Sequence, residues 1–238
     1  MSLYWEVGIV NIIIATTKSW NIKNAQRFKK ENKSGYTTII TDKDELTLER
    51  VRLINPEYIL FPHWSWIIPK EIFKNFTCVV FHMTDLPFGR GGSPLQNLIE
   101  RGIKKTKISA IRVDDGIDTG DIFFKRELEL YGTAEEIFMR ASKIIFNDMI
   151  PELLNTRPVP RKQEGEVTEF KRRKLEQSKI DPDFALDKIY DYIRMLDGEG
   201  YPKAFIKYGR YKLEFSRASL KNGKIIADVE IIEGDDYE

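Results

Sequence analysis

One histidine stands where a buried strand runs out. Cys78, Val79, Val80 and Phe81 form a short apolar run, and His82 ends it. A proline turn and the loop Gly89-Arg90-Gly91-Gly92 follow, and from Pro94 the pattern reads as a helix. A titratable side chain at the C-terminal end of a buried strand, with a glycine-rich loop after it, is where open α/β sheets place their sites. Histidine can take or give a proton near neutrality. It needs a carboxylate to set its tautomer and stabilise its charged form. The loop from Asp114 to Asp121 offers four, Asp114, Asp115, Asp118 and Asp121, broken by Gly116 and Gly120. Those glycines permit close backbone approach to a ligand. By itself His82 also reads as a satisfied core histidine, and each aspartate as a solvated turn residue. A calcium loop is disfavoured, because no glutamate follows at the required spacing.

The elements that must position these residues read as strands alternating with helices. Strands are predicted at Val7–Thr16, Tyr36–Thr41, Tyr58–Pro62, Cys78–Phe81, Ile108–Val113 and Ile122–Leu130. Helices are predicted at Asn21–Lys33, with a break at Ser34-Gly35, and at Asp42–Asn55, Pro69–Phe76 and Pro94–Arg101. Thr133 to Leu154 is the strongest helix, opened by a capping box of Thr133 and Glu136. This alternation implies one mostly parallel α/β sheet over residues 1–156. Residues 157–180 are basic, contain proline, lack a period, and read as a linker. From 181 to 238 the pattern changes to a helix, Asp181–Asp197, and three β runs, Ala204–Lys207, Tyr211–Phe215 and Ile225–Ile232. Asn222-Gly223 marks a hairpin turn between the last two. This reads as a small C-terminal α+β appendage.

The 238 residues suffice for one large domain or a medium one with an appendage. Lys plus Arg number 38 and Asp plus Glu 37, which argues against a dominant phosphate-neutralising surface. Two histidines and one cysteine make a poor metal inventory, so no metal is expected. No apolar run approaches the ~20 residues of a membrane span, and no signal peptide is evident; a cytoplasmic protein is expected.

The stretch His82-Met-Thr-Asp-Leu-Pro-Phe-Gly-Arg-Gly-Gly-Ser-Pro94 resembles the His-x-Ser/Thr-x-Leu-Pro-x-x-Arg-Gly-x-x-Pro signature of the 10-formyltetrahydrofolate-dependent formyltransferases. Asp115-Gly-Ile-Asp-Thr-Gly-Asp121 resembles that family's second signature. The resemblance implies a Rossmann-like mostly parallel sheet with helices on both faces. It implies His82 and Asp118 as catalytic residues and 10-formyltetrahydrofolate as co-substrate, without a metal. Folate contacts are implied for His63, Trp64, Ser65, Trp66, Ile67, Asp115, Gly116 and Asp121, and acceptor contacts for Thr84, Arg90, Gly91 and Gly92. Where the family has a third catalytic residue, an asparagine two positions before the histidine, this chain has Val80. Loss of one oxyanion donor typically costs on the order of 10²- to 10³-fold in rate. His63, Gln96 and Asn97 are candidate replacements.

The short appendage and balanced charge make the chain most similar to the small sugar N-formyltransferases, which implies a nucleotide-linked amino sugar as acceptor and a homodimer formed through the C-terminal part. Nucleic acid is disfavoured as a partner. Methionyl-tRNA as acceptor, hydrolysis of the formyl-folate, and binding of folate or a sugar nucleotide without turnover are the alternatives.

Overall fold

The computed structural model describes residues 10–33 and 35–233. The predicted start of the first strand at Val7, the helix break at Ser34 and the end of the appendage beyond 233 lie outside the described residues. Two compact units divide the chain: the described parts of Met1–Arg90, Lys107–Glu127 and Met139–Thr168, and of Gly91–Thr106, Leu128–Phe138 and Glu169–Glu238.

The first unit is built on a six-stranded sheet. In chain order its strands are β1 (Ile12–Ala15), β2 (Thr37–Ile40), β3 (Tyr58–Phe61), β4 (Cys78–His82), β6 (Lys105–Arg112) and β7 (Ile122–Glu129); β5 is the short pair Arg90–Gly91 outside this sheet. The spatial order is β2-β1-β3-β4-β6-β7. Strands β1, β2, β3 and β4 run parallel, and β6 runs antiparallel to β4, with His82 opposite Ser109 and Val79 opposite Arg112. The predicted mostly parallel sheet is therefore borne out, with one reversal beside the strand that carries His82.

Strand side chains alternate between faces. On one face Ile13, Ala15, Ile59, Phe61 and Cys78 form a core with Val51 and Ile72, which lie on helices α2 (Leu48–Ile54) and α3 (Lys70–Phe73). On the other, Ile12, Ile14, Leu60, Val79 and Phe81 are equally buried. Near-continuous apolar strands of this kind mark a sheet covered on both sides. By the same alternation Val80 and His82 share the face of Cys78, and Val80 packs against that core. The α1 helix (Ser19–Glu31) is tied to residues 142–147 by Asn24 Nδ2 donating to Ser142 Oγ at 2.7 Å and by Phe28 against Phe146.

Local chemistry explains two departures from the predicted elements. The helix expected over Asp42–Asn55 is split into a 3₁₀ turn, Lys43–Glu45, and α2. Both Asp42 and Thr47 act as N-caps, accepting from Asp44 N at 2.9 Å and Arg50 N at 3.2 Å, so the chain starts twice. The long helix expected from Thr133 to Leu154 forms as α5 (Ala134–Ile144), a π-helical turn at Ile145–Met149, and α6 (Ile150–Thr156). Pro151 lacks the N–H for an ordinary turn and its ring would meet the carbonyl four residues back, which the wider π turn relieves.

The second unit is built around α7 (Leu186–Leu196), which packs on α4 (Pro94–Glu100) and on a three-stranded sheet. After the two-residue strand β8 (Glu169–Phe170) that sheet comprises β9 (Ala204–Tyr208), β10 (Tyr211–Lys221) and β11 (Lys224–Glu233), in the antiparallel order β11-β10-β9. Arg194 of α7 is buried, and its Nη1 donates to Leu130 O at 2.7 Å and Gly132 O at 3.0 Å. Within the described residues no helix is long and apolar enough to cross a membrane.

The predicted capping box is present: Thr133 N donates to Glu136 Oε2 at 2.8 Å and Glu136 N to Thr133 Oγ1 at 3.3 Å. Thr133→Ala should lower unfolding stability by about 1 kcal/mol, read as a lower urea midpoint with unchanged m-value.

Candidate active site

Strand β4 delivers His82 into a nearly closed environment, with its side chain 8% exposed. Nε2 lies 2.8 Å from Gly89 O, and Nδ1 lies 3.4 Å from Asp118 Oδ2. Both ring nitrogens thus face oxygen atoms. The structure brings together the two residues that the sequence singled out as catalytic.

Asp118 reaches His82 by a long return. Val113 N donates to Cys78 O at 2.9 Å, so the acidic loop leaves the sheet at the end of β4 remote from His82. Four residues of strand span about 13 Å, and the five residues from Val113 to Asp118 can cover at most about 17 Å. The loop therefore runs back along the face that carries Val80. Asp118 sits in the left-handed region at φ 54°. Gly120 closes the loop: a Cβ there would lie 1.6 Å from Arg112 O, and Arg112 N donates to Asp121 O at 2.9 Å.

The other three aspartates do different work. Asp114 accepts from Gly116 N at 3.1 Å and from Thr119 Oγ1 at 2.5 Å, shaping the turn. Exposed Asp115 pairs with Lys70 at 2.9 Å and with Lys74, whose hydrogen bonds hold its carboxyl below the usual range. Asp121 lines a cavity of about 270 Å³ together with Phe73, Lys74, Arg112, Val113, Asp114 and Gly120.

At the end of β3, His63 has φ 60° and stands edge-on to Trp20, with ring centroids 6.2 Å apart. Trp64 packs edge-on to Phe61 and Trp66. Ser65, Trp66 and Ile67 are exposed, Ile67 at 95%. Thr17 Oγ1, Asn21 Oδ1 and Trp64 Nε1, near the carboxyl ends of β1 and β3, are buried without a hydrogen-bond partner. Buried polar atoms of this kind are ordinarily satisfied by water or a ligand.

The residues expected to touch the acceptor are engaged within the protein. Thr84 is fully buried and donates to Gly89 O at 3.2 Å, while its own carbonyl takes Ser109 Oγ at 2.7 Å. Arg90 donates from Nε and Nη2 to Gln163 Oε1 at 3.0 and 2.8 Å. Gly91 (φ 100°) and Gly92 are required by the backbone beside them: a Cβ would lie 2.5 Å from Phe170 O and 2.7 Å from Arg172 Cβ respectively. Nor do two of the proposed replacements for the missing asparagine have free amides. Gln96 donates to Met195 O at 3.0 Å, and Asn97 to the carbonyls of Gly92, Ser93 and Lys171 at 3.0–3.1 Å.

Sequence reasoning missed Asp85, Lys107, Lys125 and Gln163. Asp85 binds Lys125 at 2.5 Å and Lys107 at 3.0 Å, and Lys125 also donates to Leu86 O at 2.5 Å. Single charged residues on a loop and on two other strands carry no pattern that pairs them. Gln163 lies in the segment read as a linker.

The formyl transferase model matches residues 10–143, and the model for the C-terminal domain of methionyl-tRNA formyltransferase matches residues 175–232. The chain belongs to the formyl transferase family. Among its relatives, the methionyl-tRNA formyltransferase of Rickettsia felis is 30% identical over 77% of this chain and 62% of its own length. The chain thus spans 62% of the length of that curated relative, and likewise 62% of the one from Campylobacter lari. A solved structure of a methionyl-tRNA formyltransferase from Clostridium thermocellum is 87% identical, covers 95% of this chain and 100% of its own, and superposes with a TM-score of 0.94. A sugar N-formyltransferase from a Shewanella species is 16% identical, with a TM-score of 0.65 over 92% of this chain and 96% of its own, and shares the fold alone.

These relatives overturn the expected amino-sugar acceptor and the expectation that a nucleic-acid partner is disfavoured, and they favour the methionyl-tRNA alternative instead. Both expectations rested on chain length and net charge. Length describes the appendage but not its kind, and a net charge of +1 is a sum over the whole chain that conceals local basic runs such as Lys171 to Lys174.

Partial burial alone would raise the Asp85 carboxyl, but hydrogen bonds from Lys125 and Lys107 outweigh it and hold the group below its ordinary value. A depressed carboxylate stabilises above its unfolded value, about 3.9, and loses that contribution as pH falls through the folded value. Asp85→Asn should therefore lower the thermal midpoint at pH 7, and the gap from wild type should shrink below about pH 4. Because Asp85 is 43% exposed, the gap should also narrow in 1 M salt.

Proposed function

We propose that the chain transfers the formyl group of 10-formyltetrahydrofolate to the amine of methionyl-tRNA. The single observation that carries the chemistry is His82 held between Gly89 O and Asp118 at the end of β4. The acceptor rests on likeness to the Clostridium thermocellum protein and on the match of residues 175–232.

In this reading the amine attacks the formyl carbon, and negative charge develops on the formyl oxygen. The bond from that carbon to the folate nitrogen then breaks. The proton given up by the amine ends on the departing nitrogen, so the transfer is proton-neutral. In this reading Nε2 of His82 exchanges Gly89 O for the substrate and moves that proton, supporting the developing oxyanion, while Asp118 orients the ring through Nδ1. The donor is held as a substrate. The partly buried apolar side chains of Trp64, Phe73, Val80 and Val113 suit a flat ring system, and the buried, unpartnered Trp64 Nε1 offers a donor to it. Val80 contributes no hydrogen bond where the family has an asparagine, so His82 carries a larger share of oxyanion stabilisation. Exposed Lys171, Arg172 and Lys174 suit a phosphate backbone, whereas Arg173 is occupied by Glu100 at 2.5 Å.

Tetrahydrofolate release with charged initiator tRNA tests this. His82→Ala and Asp118→Asn should each lower kcat/KM by about 10²- to 10⁴-fold, and Val80→Asn should raise kcat by on the order of tenfold. Affinity for the tRNA should weaken as salt rises. Release that is unchanged without any amine would point to hydrolysis and sink the transfer reading.

A further inference from the structure

Residues 161–168 leave the long helix and cross the first unit as an extended strap. Most of its side chains are exposed, with Gln163 and Thr168 the partly buried ones. Its backbone is pinned at both ends. Arg161 and Ile122 exchange backbone hydrogen bonds at 2.7 and 2.9 Å, beside the end of the acidic loop. Thr168 O accepts from Gly89 N and Arg90 N, each at 2.9 Å, and Thr168 N reaches Pro87 O at 3.3 Å.

Gln163 lies between these anchors with every amide position used. Its Nε2 donates to Asp118 O and to Gly120 O, each at 2.8 Å. Its Oε1 accepts from Arg90 Nε and Nη2. A guanidinium only donates and a carbonyl only accepts, so the orientation of the amide is fixed by its neighbours.

This geometry bears directly on His82. One ring nitrogen faces Gly89 O, and the N–H of that same residue is held by the strap at Thr168. The other faces the carboxylate of Asp118, whose backbone carbonyl is held by the strap at Gln163. Asp118 is in the left-handed region and lies between Gly116 and Gly120, where the loop has the greatest backbone freedom. Within the loop Asp114 shapes the turn through Gly116 N and Thr119 Oγ1, and Gln163 adds a hold on the Asp118 carbonyl from outside it.

We infer that Gln163 is a positioning residue for formyl transfer: the strap 161–168 sets both partners of the His82 imidazole, and Gln163 holds Asp118 against it. The inference rests on the transfer reading for its kinetic consequence and on geometry alone for its structural one.

The test compares Gln163→Ala and Gln163→Glu with wild type. Glutamate keeps an acceptor for Arg90 but cannot donate to the two carbonyls and sets a negative charge against them. Tetrahydrofolate release should show kcat lower by about 30- to 100-fold in both variants, with KM for the formyl donor within about twofold, and with glutamate no better than alanine. The chain has two histidines, so ¹⁵N imidazole spectra separate His82 from His63. Both variants should shift the His82 signals and leave those of His63 in place. Rescue of kcat by glutamate would make holding Arg90 the role of Gln163 and overturn the inference. So would unchanged His82 signals, or a variant altered only in melting temperature. If wild type itself released no tetrahydrofolate, the transfer reading would fall, and the His82 spectra would still decide whether Gln163 positions the ring.

Discussion

The imidazole of His82, clamped between a carbonyl and a carboxylate, is the interaction on which the rest of this unit depends. A polar ring 8% exposed is costly to bury unless its nitrogens find hydrogen-bond partners. Each partner comes from a different loop. The sheet beneath supplies the fixed point: β4 is buried on both faces between β3 and β6, and His82 is its last residue. The loops are then fastened by groups that bond nothing in the reaction. Ser109 and Thr84 lock the turn after β4 from below, Lys107 and Lys125 lock Asp85 at its rim, and the strap closes it from the far side.

The second unit is organised by a comparable rule around a carboxylate. Glu100 ends α4 and takes Tyr192 Oη at 2.8 Å, Arg173 Nη1 at 2.5 Å and, through its backbone carbonyl, Lys188 Nζ at 3.0 Å. Partial burial would raise its carboxyl, but Tyr192, Arg173 and Lys188 together hold it low, while burial and the bond to Glu100 push the Tyr192 phenol up. Burial likewise pushes Tyr201 up to about 12, and its ring stacks on Phe138 at 5.3 Å. The three-stranded sheet ends in β11, where Ile226, Val229, Ile231 and Ile232 are exposed.

Much of this was legible in the chain, for reasons that differ by residue. Apolar β-branched runs at β1, β3 and β4 announce buried strands because a sheet covered on both faces tolerates no polar alternation. Thr133 and Glu136 announce a helix start because their reciprocal bonds span three residues. His82 was legible at its strand end, and Asp118 among four aspartates only through the resemblance of its loop to the family's second signature. Asp42–Asn55 was misjudged because two competing caps lie within one amphipathic stretch. The acceptor was misjudged because whole-chain charge and length say little about which surface meets a ligand.

The sequence by itself determined the strand and helix order, the two residues at the chemical centre, and the absence of an amide at Val80, since each is written in residue types or short spacings. Tertiary structure alone decided how Asp118 reaches His82, because the acidic loop doubles back along β4 and the left-handed turn at Asp118 brings its carboxylate to the ring. It alone decided that residues 161–168 bind rather than merely connect. Gln163 contacts Asp118 across 45 positions and Arg90 across 73. A hydrogen bond over such a distance leaves no period, cap or turn signal in the chain, because its geometry exists only once the sheet has brought the loops together.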